Sequence, residues 1–222
     1  MTQKRYFEAV VFDLDGTLLD TLRDLAASMN RVLAKRHLPT HPEESYKYFV
    51  GDGAATLVLR AVPKEIRADK ALLNQILTEF LEDYKENWDK NTRVYDGVDE
   101  MLDLVSKKGL KMAVLSNKPH EFTRLCVERY LGKWRFHEIL GERKGITKKP
   151  DPTGALKIAG SLSVDPAKVL YLGDTSIDMK TARSAGMFPA GVLWGFRDKK
   201  ELEEAGAKAF LAKPSHIKDI IL

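Results

Sequence analysis

The stretch Ala9-Val10-Val11-Phe12-Asp13-Leu14-Asp15-Gly16-Thr17-Leu18 decides how the rest of the chain is read. Its apolar run suits a buried strand and is too short for a helix, and Asp-Leu-Asp-Gly stops it abruptly. In an open parallel sheet, ligands gather at the carboxyl ends of the strands, and aspartates in alternate positions there face one crevice. Carboxylates so placed are costly unless a cation meets them. The turn Asp15-Gly16-Thr17 also suits a plain helix cap, so the motif needs company before it means chemistry.

That company lies further along the chain. Short apolar runs recur at Met112-Ala113-Val114-Leu115, Val169-Leu170-Tyr171-Leu172 and Ala190-Gly191-Val192-Leu193. Helical spacing separates them, as at Val98, Met101, Leu102 and Val105. The alternation predicts an α/β fold, a Rossmann-like parallel sheet with helices on both faces. Residues 18–90 break the pattern: Leu22 to Leu33 and Leu72 to Tyr84 read as long amphipathic helices, with a shorter one from Ala54 entered through Gly51-Asp52-Gly53. No strand is expected there. The predicted organisation is a catalytic α/β core of residues 1–17 and 91–222, with an all-helical cap of residues 18–90 inserted after the first strand.

Composition narrows the function classes. The 222 residues, 44% hydrophobic and 31% charged, exclude a fibrous or wholly disordered chain. No apolar run reaches the roughly 18 residues of a membrane helix, and Met1-Thr2-Gln3-Lys4-Arg5 leads straight into a strand, so a cytoplasmic protein without membrane partners is expected. The net charge of +4 and basic groups such as Arg143-Lys144 and Lys199-Lys200 lack interleaved aromatics, which favours a solvated face over nucleic acid. One cysteine and five scattered histidines leave oxygen ligands for any metal.

A second acidic strand end, Leu172-Gly173-Asp174-Thr175-Ser176-Ile177-Asp178, supplies such ligands. Carboxylates converging from separate strands repel one another unless a hard cation neutralises them, and an oxygen donor set suits Mg²⁺. Ser116-Asn117-Lys118 ends another strand ahead of Pro119, where hydroxyl, amide and backbone N–H groups suit phosphoryl oxygens or, equally, a helix cap. Lys149, fixed ahead of Pro150, is either a solvated loop lysine or the cation of such a site.

In this order, Asp13-Leu-Asp15-Gly16-Thr17, Ser116-Asn117-Lys118, Lys149-Pro150 and Gly173-Asp174-x-x-x-Asp178 resemble the four motifs of the haloacid dehalogenase superfamily. The helical insert, Leu115-Ser-Asn-Lys-Pro119 and Ile146-Thr-Lys-Lys-Pro-Asp-Pro152 are similar to its phosphoglycolate phosphatase-like branch. The resemblance implies a Mg²⁺-dependent phosphomonoester hydrolase working through an aspartyl-phosphate. Asp13 is then the nucleophile and Asp15 the general acid and base. Ser116, Asn117 and Lys149 bind the phosphoryl oxygens. Asp13, the Asp15 backbone carbonyl and Asp174 hold Mg²⁺, with Asp178 and Gly173 in support. Gly51, Asp52, Gly53 and Arg60 are candidate specificity residues of the cap, Arg60 being equally a surface helix charge.

The implied substrate is a small phosphorylated metabolite, 2-phosphoglycolate first. An inorganic pyrophosphatase, a nucleotide or sugar phosphatase and a phosphosugar mutase are the rivals within the same family. A non-catalytic phosphate sensor or a nucleic-acid-binding module is the rival of another class, disfavoured by the intact pair Asp13 and Asp15. Nothing in the sequence separates monomer from homodimer.

Overall fold

The structure, a computed structural model, describes residues 6–221; the expectation resting on Met1 to Arg5 lies outside them. In chain order, β1 (Ala9–Phe12) and the two-residue β2 (Leu19–Asp20) precede four helices, α1 (Leu22–Lys35), α2 (Glu43–Phe49), α3 (Ala54–Ala61) and α4 (Lys70–Asn87). Then come β3 (Arg93–Val94), α5 (Val98–Lys107), β4 (Lys111–Pro119), α6 (His120–Leu131), β5 (Phe136–Glu142) and α7 (Thr153–Leu162). β6 (Val169–Gly173), α8 (Ser176–Ser184), β7 (Phe188–Val192), α9 (Lys199–Glu204), β8 (Ala209–Leu211) and α10 (Lys218–Ile221) complete the fold.

Six strands form one parallel sheet in the order β5-β4-β1-β6-β7-β8. β1 is buried throughout because it serves two cores at once. Val10 and Phe12 pack with α5 and α6 through Met101, Leu102 and Cys126, while Ala9 and Val11 pack with α7 and α8 through Ile158 and Ala182. A two-residue side-chain period feeding two apolar faces is what a sheet covered by helices requires. The chain leaves β1 toward β4 and β5, then returns to the other side of β1 with β6. The strand order therefore reverses at β1, and the crevice at its carboxyl end is where such sheets bind ligands.

The helices α1 to α4 share a hydrophobic cluster of their own, built on Leu25, Met29, Leu33, Tyr46, Leu57 and Phe80, which Phe122 and Phe196 join from the sheet side. Asp69 caps α4, its carboxylate accepting from the Leu72 N–H at 2.9 Å. The chain enters and leaves this helical insert through a short antiparallel pair, Leu19 opposite Val94 and Asp20 opposite Arg93. Asp24, buried at the start of α1, accepts hydrogen bonds from the backbone N–H groups of Asn91 and Thr92 and from both their side chains, at 2.7 to 3.0 Å.

Several elements depart from the sequence reading. β2 is a strand inside the stretch expected to be helical, and Leu18 and Leu19 pack with the sheet core rather than with the helices. β5 and β8 are edge strands that were not expected, because one open edge removes the need for a continuous apolar run. α2 is short and polar, Tyr46 being its one buried residue, which leaves little periodicity to read.

Candidate active site

Asp13 follows β1 directly. Its Oδ1 accepts from the Leu14 N–H at 2.7 Å and lies 2.8 Å from Lys149 Nζ. Its Oδ2 carries no hydrogen bond among the described residues, so one oxygen is held and the other is available. The turn after it is tight: the N–H groups of Thr17, Leu18 and Leu19 all donate to the Leu14 carbonyl. Gly16 makes this turn with φ of +85°, and a Cβ there would collide with the Asp174 carboxylate.

Lys149 Nζ bridges Asp13 and Asp178, at 2.8 and 2.7 Å. Lys148 turns away to Glu142 at 3.5 Å and to the Asp52 carbonyl at 3.4 Å. Asp178 closes a capping box at the start of α8, its Oδ2 accepting from the Thr175 N–H and hydroxyl at 3.1 and 2.7 Å. A Cβ on Gly173 would run into this carboxylate, which explains the glycine at the end of β6. Asp174, fully buried, accepts from the Thr17 hydroxyl at 3.1 Å and the Phe196 N–H at 2.9 Å.

Three buried carboxylates, Asp13, Asp174 and Asp178, thus bring ligand oxygens within 4.8 Å of one another. Burial, and then the neighbouring Asp178, push the Asp174 carboxyl up to about 7. Burial with Asp178 and Asp174 likewise raises Asp13 well above the usual carboxylate range, despite Lys149. Burial disfavours the Lys149 ammonium, yet Asp13 and Asp178 together hold it well above its usual range. One lysine against three carboxylates leaves a net negative, oxygen-only pocket. A divalent cation fits that donor set, and it would restore the charge balance.

Asp15 lines a cavity of about 50 Å³ to which the helical insert contributes Leu25, Leu57, Phe80 and Tyr84. Its Oδ1 accepts from the Thr21 hydroxyl at 2.7 Å, and both its oxygens face Lys118 Nζ, at 3.0 and 3.3 Å. Lys118 also donates to the Tyr84 hydroxyl at 2.8 Å. Neither residue was singled out from the sequence. Lys118 read as one more residue of a loop motif, and Tyr84 as one of the apolar positions along α4. The signal that marks Lys118 is its place in a strand that stays buried past Leu115 as far as Lys118 itself.

Ser116 Oγ accepts from the Lys118 N–H at 3.2 Å, which leaves its own hydrogen to donate into the cavity it lines. The Asn117 side chain is engaged elsewhere. Its amide group donates to the carbonyls of Lys149 and Gly51 at 3.0 and 3.1 Å, and its Oδ1 accepts from the Lys149 N–H at 2.8 Å. With both amide hydrogens spent, its side chain stitches the Lys149 loop to the insert rather than offering a donor to an anion. Gly51 and Gly53 line the cavity. Arg60 and Asp52 do not: they pair with each other at 2.6 Å, and Arg60 also donates to the Phe49 carbonyl at 3.2 Å.

A parallel sheet with a switch point at β1, a held aspartate there, a lysine bridging it to a carboxylate cluster and a roofed cavity above define a hydrolase built for anionic esters. The chain belongs to the haloacid dehalogenase-like hydrolases, whose family model matches residues 10–192. It is similar to the phosphoglycolate phosphatase of Pseudomonas putida strain KT2440, 35% identical over 87% of this chain and 72% of that one. It is similar also to the N-acetylmuramic acid 6-phosphate phosphatase of Pseudomonas aeruginosa, 32% identical over 96% of this chain and 94% of that one. Among solved structures, a protein from Lactobacillus delbrueckii subsp. bulgaricus superposes with a TM-score of 0.91 at 29% identity, covering 98% of this chain and 99% of that chain. The chain is accordingly an enzyme, a phosphatase of this family. Among the described residues no helix is long and apolar enough to cross a membrane.

Proposed function

We propose that this phosphatase hydrolyses small phosphate monoesters, with 2-phosphoglycolate as the leading substrate, through a phosphorylated Asp13 and with Mg²⁺ as its metal. The observation that carries the reading is the placement of Asp13, held through Oδ1 and free at Oδ2, on the floor of a cavity of about 50 Å³. At roughly 10–15 Å³ per water, that space takes a few water-sized groups. A two-carbon leaving group suits it.

Asp13 attacks phosphorus and carries the phosphoryl group, so one hydrolysis becomes two transfers. Asp15, held by Thr21 and Lys118, protonates the departing oxygen and then takes a proton from the attacking water. The Ser116 hydroxyl and Lys149 meet the non-bridging oxygens from fixed positions, so little reorganisation accompanies the movement of charge. Asn117 fixes the Lys149 backbone. Asp13, Asp174 and the Asp15 backbone carbonyl would hold a Mg²⁺, and Asp178 orients Lys149. When bound, the metal screens the carboxylates from the incoming phosphate and stabilises charge on the transferring group. Helices α1 to α4 serve as the cap over the site, and water is excluded while it is closed.

The likeness to the N-acetylmuramic acid 6-phosphate phosphatase, which extends over nearly the whole chain, favours a sugar phosphate as second reading. Phosphate release from 2-phosphoglycolate, pyrophosphate, nucleoside monophosphates and hexose phosphates, each with and without Mg²⁺, decides between them. The highest kcat/KM is expected for 2-phosphoglycolate; a higher value for any other ester or for pyrophosphate overturns the substrate assignment, and turnover without metal overturns the role of the carboxylate cluster.

A further inference from the structure

Much of the cavity lining is apolar, with Leu25, Leu57, Phe80, Leu81 and Phe122 contributing to it. Among the lining residues Lys118 is the one cation, and its side chain is only 3% exposed. An ammonium has three hydrogens to donate. One meets the Asp15 carboxylate, whose two oxygens lie at 3.0 and 3.3 Å, and one meets the Tyr84 hydroxyl at 2.8 Å. The third has no acceptor among the described residues. Tyr84 is in the same condition. Its oxygen accepts from Lys118, and its own hydrogen has no acceptor among the described residues, although the side chain is buried between Phe80 and Phe122.

Two unspent donors therefore stand side by side, between Asp15 and the apolar lining residues Leu25, Leu57, Phe80, Leu81 and Phe122. Buried polar hydrogens are normally satisfied, and a pair left open beside a reaction centre calls for an acceptor with two oxygens. Resting on the reading of a small phosphomonoester substrate, we infer that Lys118 and Tyr84 form a subsite for a carboxylate on the leaving group, so that the enzyme selects phosphate esters of short hydroxy acids. Lys118 supplies the charge and a hydrogen bond, and Tyr84, carried on α4, supplies a second hydrogen bond from the roof. The subsite is complete only when α4 lies against β4. Ester recognition and closure of the insert are thereby tied to the same two side chains.

The test compares 2-phosphoglycolate with 2-hydroxyethyl phosphate, which replaces the carboxylate by a neutral alcohol of similar size. In the wild type kcat/KM is expected to favour the acid. Lys118→Met should shrink that preference about 10- to 100-fold, the worth of a charged hydrogen bond, and Tyr84→Phe about 3- to 10-fold. Lys118→Arg should retain more of it than Lys118→Met. Calorimetric titration of 2-phosphoglycolate into Asp13→Asn, with and without Lys118→Met, reads the same loss as binding without turnover. Tyr84→Phe keeps the ring stacking and serves if circular dichroism shows Lys118→Met unfolded.

If both esters lose rate equally and the ratio stays at its wild-type value, Lys118 acts only by positioning Asp15 and the subsite is refuted. A wild type that shows no preference for the acid ester refutes the substrate reading itself, before any variant is made.

Discussion

Lys149 Nζ lies 2.8 Å from Asp13 Oδ1 and 2.7 Å from Asp178 Oδ1, so one buried cation serves the proposed nucleophile and a second carboxylate at once. Removing one partner from a buried ionic cluster leaves uncompensated charge, at a cost of about 3–5 kcal/mol. Lys149→Met is expected to lower stability by that order and to reduce kcat by at least about 100-fold, as loss of a fixed electrostatic donor does. Chemical denaturation and steady-state phosphate release measure the two effects separately.

Asp13→Asn has opposite consequences for the two observables. Turnover should disappear, since the amide cannot accept the phosphoryl group. The metal-free fold should hold, because a like charge has been removed from beside Asp174 and Asp178. Wild-type phosphate release by this variant would show that another group is the nucleophile.

The raised carboxyls predict how stability responds to pH without metal. The Asp174 carboxyl, 3.8 when unperturbed, stands at about 7 in the fold, so the native state keeps a proton that the unfolded chain has lost. The stability from this group is fully present below about pH 4 and is lost as pH rises through about 7. Thermal melts in EDTA should show this component declining across that window. Mg²⁺ should add more stability at pH 8 than at pH 5, because protons compete with it at the lower pH. Equal stabilisation by Mg²⁺ at both values would contradict a carboxylate site.

Asp24 makes a structural prediction independent of the chemistry. Its carboxylate accepts from two backbone N–H groups and two side chains of Asn91 and Thr92. Asp24→Ala leaves those donors unpaired, and the expected destabilisation is roughly 2–4 kcal/mol, read from urea unfolding.

The residues at the strand ends were legible for a physical reason. Asp13, Asp15, Ser116, Lys149 and Asp174 sit in contiguous motifs, where a buried apolar run meets polar groups with no other reason to be there. The sheet was legible through its inner strands alone, since β5 and β8 lie at the edges. Lys118 and Tyr84 stayed hidden because their contact joins residues 34 apart in sequence, and each alone has an ordinary reading. The side-chain partners of Asn117 and Arg60 were hidden in a common way. Residue type suggested a donor for an anion, but the backbone carbonyls of Lys149 and Gly51 claim the amide, and Asp52 claims the guanidinium.

The ends of the helical insert meet. Leu19 and Asp20 pair with Val94 and Arg93, and Asp24 clasps Asn91 and Thr92. A segment whose two ends are neighbours can be lengthened, replaced or grafted without disturbing the register of the strands below it, because the host chain sees only a short hairpin. The roof can therefore vary in length and outer surface, whereas at Tyr84 and Lys118, where it meets the floor, the two must change together.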